Sequence, residues 1–316
     1  MKFIYIFIFF LNAQLVFASP DSWKIEWPKT DFSKNNIDYS EILSGGPPKD
    51  GIPAIDNPIF DKVKNIKNLS DNSPVISLTI GSDSRAYPVE ILMFHEIVND
   101  TVGGIPVIVT YCPLCNASIA YNRKVKGKIL DFGTTGKLRY SDMVMYDRQT
   151  ESWWQQFLGE GIVGEMTNIS LTQIPVRIES FKLFKTRHPN GKVLIPNTKS
   201  TRHYGGNPYA GYDSSKKPFL YRGDYDGPGS PLSYVVMVGK DAWPLSLVRK
   251  NKIIKYKDIK ITWTSGQASA LDKAKINKGR DIGNVVVTKN GKVVNYSIPF
   301  AFAFKAFHKD GIIHDK

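Results

Sequence analysis

From Val75 onward the chain is written in short runs of β-branched and aromatic residues, each closed by a turn. Val75-Ile80, Ile105-Tyr111, Ser118-Asn122, Ile129-Phe132 and Met143-Tyr146 are such runs, and Gly81-Ser82, Lys126-Gly127 and Gly133-Thr134 lie between them. Runs of this length bounded by turn residues read as strands. β-branched and aromatic side chains suit a pleated, half-buried surface, and glycine accepts the backbone of a tight turn. Helical candidates are few: Pro88 to about Glu96, with proline at a natural first-turn position, and Ile178 to about Thr186. The expected fold class is α+β, β-rich, with few short helices. With 42% hydrophobic and 22% charged residues, the 316-residue chain has ordinary globular composition, which excludes collagen-like and wholly disordered readings.

The chain also resembles itself. Ser84-Arg-Ala-Tyr-Pro-Val89 reads like Lys240-Asp-Ala-Trp-Pro-Leu245. Val109-Thr-Tyr111 followed by Ala117-Ser118 reads like Ile261-Thr-Trp263 followed by Ala268-Ser269. Ile174-Pro175, Phe181-Lys-Leu-Phe184 and Asn190-Gly191 match Ile298-Pro299, Phe304-Lys-Ala-Phe307 and Asp310-Gly311 in the same order. These matches predict two related units from an internal duplication, residues 75–195 and a shorter 232–316, joined by the Gly/Pro/Tyr-rich loop 196–231. Residues 19–74 read as an N-terminal arm anchored by Trp23 and Trp27. Thr264-Ser265-Gly266-Gln267 stands in the second copy where the first has Cys112-Pro113-Leu114-Cys115. If the copies share a fold, the scaffold does not need the cysteines.

Residues 1–18 read as a signal peptide. Lys2 is a short positive start, Phe3 to Phe10 and Leu15-Val16-Phe17 are apolar, and cleavage is expected after Ala18. The expected location is the periplasm or the extracellular space. After cleavage no transmembrane segment is expected, since Ile298 to Phe307 is short and interrupted by Lys305. Lys plus Arg number 42 and Asp plus Glu 29, a formal charge of +13 that favours an anionic surface or an acidic envelope protein as partner. No basic run is interleaved with aromatics, so nucleic acid is not an expected partner. Phosphate-cradling glycine motifs are absent, so no nucleotide cofactor is expected.

Cys112 and Cys115 are the chain's only cysteines. A Cys-x-x-Cys pair closes too small a loop to staple an exported domain, so the spacing points to chemistry. Thiolates are nucleophiles and soft metal ligands. Val102-Gly103-Gly104-Ile105 reads as a two-residue hairpin turn. Antiparallel pairing carried back from it sets His95 opposite Cys112, where directly opposed side chains share a face. If residues 88 to 96 are helical, His95 sits instead at the helix end near the same hairpin.

His95, Cys112 and Cys115 are the candidate metal ligands. Two thiolates and an imidazole suit Cu(I) or Zn(II). Glu96, Asp56 and Met145 are candidates for a fourth position. His95 also reads as a core histidine bonded to backbone, and the cysteines as a small structural disulfide. Asp147-Arg148 and Glu151-Ser-Trp-Trp154 read as a strand end held by an Asp–Arg pair, or as Arg148 and Trp153 walling a pocket near the cysteines. Arg202-His203-Tyr204 and Asn207-Pro208-Tyr209 read as a structured loop or as a lid on that pocket. His188, His308 and His314 read as solvated.

Several strings together resemble the domain-of-unknown-function 3179 family of exported or envelope-associated proteins. They are Asp50-Gly-Ile-Pro-Ala-Ile-Asp-Asn-Pro58, Ala86-Tyr-Pro88, His95-Glu-Ile-Val-Asn-Asp100, Gly103-Gly104, Thr110-Tyr-Cys-Pro-Leu-Cys115, Met145-Tyr-Asp-Arg148, Glu151-Ser-Trp153 and Gly159 to Gly164. The resemblance covers about residues 48 to 195 with specific motifs, and the rest more weakly. It implies an exported protein and draws attention to these motifs, and it implies no reaction. Three functional classes stand: an exported metal-binding protein using His95, Cys112 and Cys115, for copper handling; a thiol–disulfide oxidoreductase using Cys112 and Cys115; and a non-catalytic envelope binding module with structural cysteines.

Overall fold

A computed structural model describes residues 20–197 and 202–316. The expected signal peptide therefore lies outside the described residues. Among those residues, no helix is long and apolar enough to cross a membrane.

Sheets dominate, in a five-bladed β-propeller arrangement. One sheet runs Ile42–Ser44, Phe132–Arg139, Asp142–Asp147, Trp153–Gln155, Glu160–Val163. A second runs Thr172–Ile174, Ala117–Asn122, Ile105–Cys112, Ile97–Val102 and carries the cysteines. The third runs Val176–Ser180, Pro74–Ile80, Asp83–Pro88, Lys192–Ile195, Ile59–Lys62. The second half supplies Val235–Val238, Asp241–Pro244, Ile312–Ile313, and then Ile253–Tyr256, Ile259–Thr264, Asn284–Lys289, Lys292–Val293. A two-stranded ribbon, Lys124–Val125 with Lys128–Ile129, completes the set.

The period-two logic of strands is plain at Trp153 and Trp154. Neighbours on a strand point to opposite faces. Trp153 packs with Trp23, Trp27 and Phe32 in a side cluster, while Trp154 meets Phe132 in the main core. The sequence reading of the Gly103-Gly104 hairpin holds in register: Val102 faces Ile105 and Ile97 faces Thr110. Both glycines have positive φ, 54° and 80°, the conformation a tight two-residue hairpin demands. A side chain at Gly103 would also strike Ile80 O, since its Cβ would lie 2.5 Å away.

The expectation of an α+β protein made of two related units is overturned. Among the described residues the α-helices are one of four residues and four of seven. They are one or two turns long, too short to form a layer of their own. One continuous hydrophobic core contains Ile76, Cys112, Trp243 and Phe304 alike, so the halves share an interior. The cysteine turn itself is bonded to the second half, Phe300 N–H donating to Cys115 O at 2.9 Å. The sheet built on Phe132–Arg139 to Glu160–Val163 has no counterpart within residues 232–316. Ala268-Ser269, expected to mirror the strand opening at Ala117-Ser118, lies in irregular chain, and the strand that pairs with Ile259–Thr264 is Asn284–Lys289.

The self-similarity is local. It marks two strand–helix pieces that recur with the same caps. Val89–His95 and Leu245–Asn251 each follow a proline cap and end on a residue with φ of 57° (Glu96) or 62° (Lys252). Phe181–Arg187 and Ala301–Phe307 each end on a histidine cap, which sets Phe184, not Phe181, in the place of Phe304.

Candidate metal centre

Cys112 is the last residue of its strand and pairs with Ala117 across the turn. Asn116 closes that turn with φ of 51° and its N–H on Pro113 O. Its side chain then ties three segments: Nδ2 donates to Ile298 O at 2.7 Å, and Oδ1 accepts from Tyr111 Oη at 3.1 Å. Tyr212 Oη donates to Leu114 O at 3.1 Å. The turn is thus held by groups from the rest of the molecule, and both cysteines are free thiols, 1% and 0% exposed.

The third member is Asp142. Tyr140 and Ser141 both take positive φ, 52° and 67°, and this tight reversal starts the strand Asp142–Asp147 beneath the cysteine turn. One carboxylate oxygen accepts from Gln155 Nε2 at 2.6 Å and from Phe157 N–H at 3.0 Å. The other, Oδ1, is buried with no nitrogen or oxygen donor, and the thiols of Cys115 and Cys112 hydrogen-bond to the carboxylate. A carboxylate oxygen of Asp142 and the two Sγ atoms lie within 4.8 Å of one another, close enough to hold a metal ion.

The electrostatics are lopsided. Burial pushes Asp142 up to about 7. Glu96 is fully buried, and burial followed by the Asp142 charge pushes it up to about 8. Burial raises the Cys112 thiol, with Asp142 and Glu96 adding to it, and holds Cys115 well above its ordinary range. Three acidic groups therefore share one desolvated spot, with Glu96 near enough to act on them through its charge. Among the described residues no lysine or arginine pairs with Asp142 or Glu96. A buried charge without a partner is costly, so the metal-free site holds protons instead. Thiols so placed are poor nucleophiles, because attack needs an accessible thiolate.

A profile described as "Protein of unknown function (DUF3179)" matches residues 49–311. The chain belongs to that family. The match spans Cys112, Cys115 and Asp142, and reaches well past the segment where the motifs are densest. No curated protein and no solved structure matches the chain.

In this family member His95 lies away from the cysteines. The helix Val89–His95 and the left-handed Glu96 intervene before the strand begins at Ile97, so the cross-strand pairing stops short of His95. Its Nδ1 is 2.8 Å from Pro53 O and its Nε2 2.7 Å from Tyr204 Oη, with the two rings stacked. Burial lowers its pKa, which favours the neutral ring. Glu96 does face the cluster electrostatically, through Asp142 and Cys112. Asp56 instead pairs with Arg148 at 2.5 Å and accepts from Asn99 Nδ2 at 2.8 Å. Met145 is a core residue opposite Trp154.

Arg148 also reaches Asp50, so it ties the segment after residue 49 to a strand end. Trp153 and Trp154 are both fully buried. In the loop after residue 202, Tyr204 covers His95, whereas Tyr209 and Tyr212 come within electrostatic range of the thiols. Asp142 is the residue that sequence reasoning missed. Its one available signal is an acid set directly before the run Met143-Tyr146.

Proposed function

We propose that Cys112, Cys115 and Asp142 bind one thiophilic metal ion in an exported protein, with Zn(II) preferred over Cu(I). One observation carries this reading: two thiols and a carboxylate bonded to them converge in a buried site where, among the described residues, no lysine or arginine pairs with the acid. A divalent ion would stabilise both thiolates and the carboxylate, releasing the protons they hold. The carboxylate decides the metal, because an oxygen donor suits borderline Zn(II) better than soft Cu(I). Glu96 stands outside that group of three and bears on the ion through its charge.

Complete burial leaves no route for a substrate, so the ion's role is to hold the cysteine turn against the first sheet and the second half. Burial and the raised thiols argue against disulfide exchange. Export rests on residues 1–18, and the formal charge of +13 suits an anionic surface as partner.

The test is metal analysis of protein purified anaerobically from the periplasm, with titration of the stripped form. About one equivalent of zinc is expected. Protein that comes out metal-free and takes up neither Zn(II) nor Cu(I) would sink the reading. Mass spectrometry of the mature N-terminus tests export, with Ser19 as the expected first residue.

A further inference from the structure

A second site lies on the other side of the helix Val89–His95. A cavity of about 890 Å³ opens between that helix, the segment 61–73, the strand Lys192–Ile195 and the chain around Gly205-Gly206 and Lys275. This is within the size range of small-molecule sites, roughly 300–1,000 Å³. Its walls mix apolar side chains, among them Ile91 and Leu194, with polar ones such as Asn68 and Asn277.

Two polar groups in it are unpartnered. Ser73 Oγ is buried without a hydrogen bond, on a residue 2% exposed. Glu90 makes no hydrogen bond or ion pair among the described residues, and a Cβ placed on Gly205 would sit 3.6 Å from its Oε2. Burial alone pushes the Glu90 carboxyl up to about 7. The charge balance is also local and unusual. In a chain of formal charge +13, the cavity is lined by two carboxylates, Asp61 and Glu90, against Lys275, which is exposed at the rim, and His203. Asp61 is already engaged by Asn65 Nδ2, which leaves Glu90 as the cavity's anion without a partner among the described residues.

We infer that this cavity binds a small organic cation, a primary amine on a short apolar body, with the ammonium group on Glu90. An ammonium in contact with a desolvated carboxylate makes a charge-assisted hydrogen bond, the strongest kind such a cavity offers. The aliphatic walls take the carbon chain, and Ser73 can meet a second polar group. This site is independent of the cysteine centre.

The experiment is calorimetric titration of the full chain with 5-aminopentan-1-ol, with 1,5-pentanediol as the uncharged control. Saturable binding of the amine is expected, with the diol at least about tenfold weaker, as loss of a charge-assisted hydrogen bond predicts. Glu90→Gln should weaken the amine about tenfold without lowering the melting temperature, since it removes a desolvated acid. Ser73→Ala should weaken it by a smaller factor. Equal binding of amine and diol, full affinity in Glu90→Gln, or no saturable binding of the amine would each overturn the inference.

Discussion

At His95 both ring nitrogens already have oxygen partners, Pro53 O and Tyr204 Oη, and the ring is stacked on Tyr204. At the cysteine turn, two thiols and Asp142 Oδ1 are buried with no cation to balance them. Both places carry metal-ligating residue types, and they lie close together in the sequence. What separates them is satisfaction. A histidine whose two nitrogens are engaged gains nothing further from an ion, whereas a cluster of desolvated acids gains charge compensation and every missing bond at once. Ligand identity alone would have ranked the two places equally.

The contrast breaks first, and with the largest effect, at the cysteines. Cys112→Ser and Cys115→Ser should each weaken zinc by about 100-fold or more, because either change removes a thiolate from a small donor set. Competition with a colorimetric chelator measures this. Unequal loss, or a mixed disulfide trapped by only one of the two variants, would turn the comparison toward redox chemistry.

Asp142→Asn comes next. An amide oxygen is a weaker donor than a carboxylate, so zinc affinity should fall about tenfold or more. The metal-free variant should at the same time gain roughly 1–3 kcal/mol of stability above pH 7, since a buried acid is gone. Urea titrations of stripped wild type and variant check the gain. An unchanged zinc affinity would remove Asp142 from the centre.

A slower effect concerns pH. Folding raises Asp142 to about 7 and Glu96 to about 8, so the folded chain keeps protons that the unfolded chain releases. For these groups the metal-free protein is most stable below about pH 4 and loses that contribution as pH climbs toward 8. Zinc should reverse the trend, because binding displaces those protons. A denaturation midpoint that is flat across this window in the stripped protein would show that the carboxyls are solvated.

The smallest effect is expected at His95. His95→Gln should leave zinc affinity within about twofold and cost about 1 kcal/mol of stability, the usual worth of a hydrogen bond or two. A large loss of zinc in this variant would erase the distinction between the two places.

Much of the cysteine hairpin was legible residue by residue. The double glycine, the β-branched runs around it and the strand ending at the first cysteine all declared themselves locally. The pairing register followed from counting outward from the turn. Of the two placements read for His95, the helix end holds and the position opposite Cys112 does not, because the helix and Glu96, with φ of 57°, interrupt the pairing before it reaches His95. Glutamate carries no local signal for that conformation, which is uncommon for residues other than glycine and asparagine. The duplication reading failed for a related reason. Recurring strand–helix pieces share caps and turns, and those are local, whereas the number of sheets and the way they share one core are not.

The sequence by itself determined many of the strands, which hairpin would carry the cysteines, and which family the motifs resemble, although Gly133-Thr134, read as a turn, lies inside the strand Phe132–Arg139. Each depends on side-chain shape, turn chemistry or near-neighbour order, all of which act over a few residues. Only the tertiary structure decided that Asp142, and not His95, stands with Cys112 and Cys115. Only the tertiary structure buried Glu96 beside them and merged the two halves into one core. Such choices turn on which distant segments exclude water from one another. Desolvation gives an ordinary acid an extreme proton affinity only once the whole chain has closed around it.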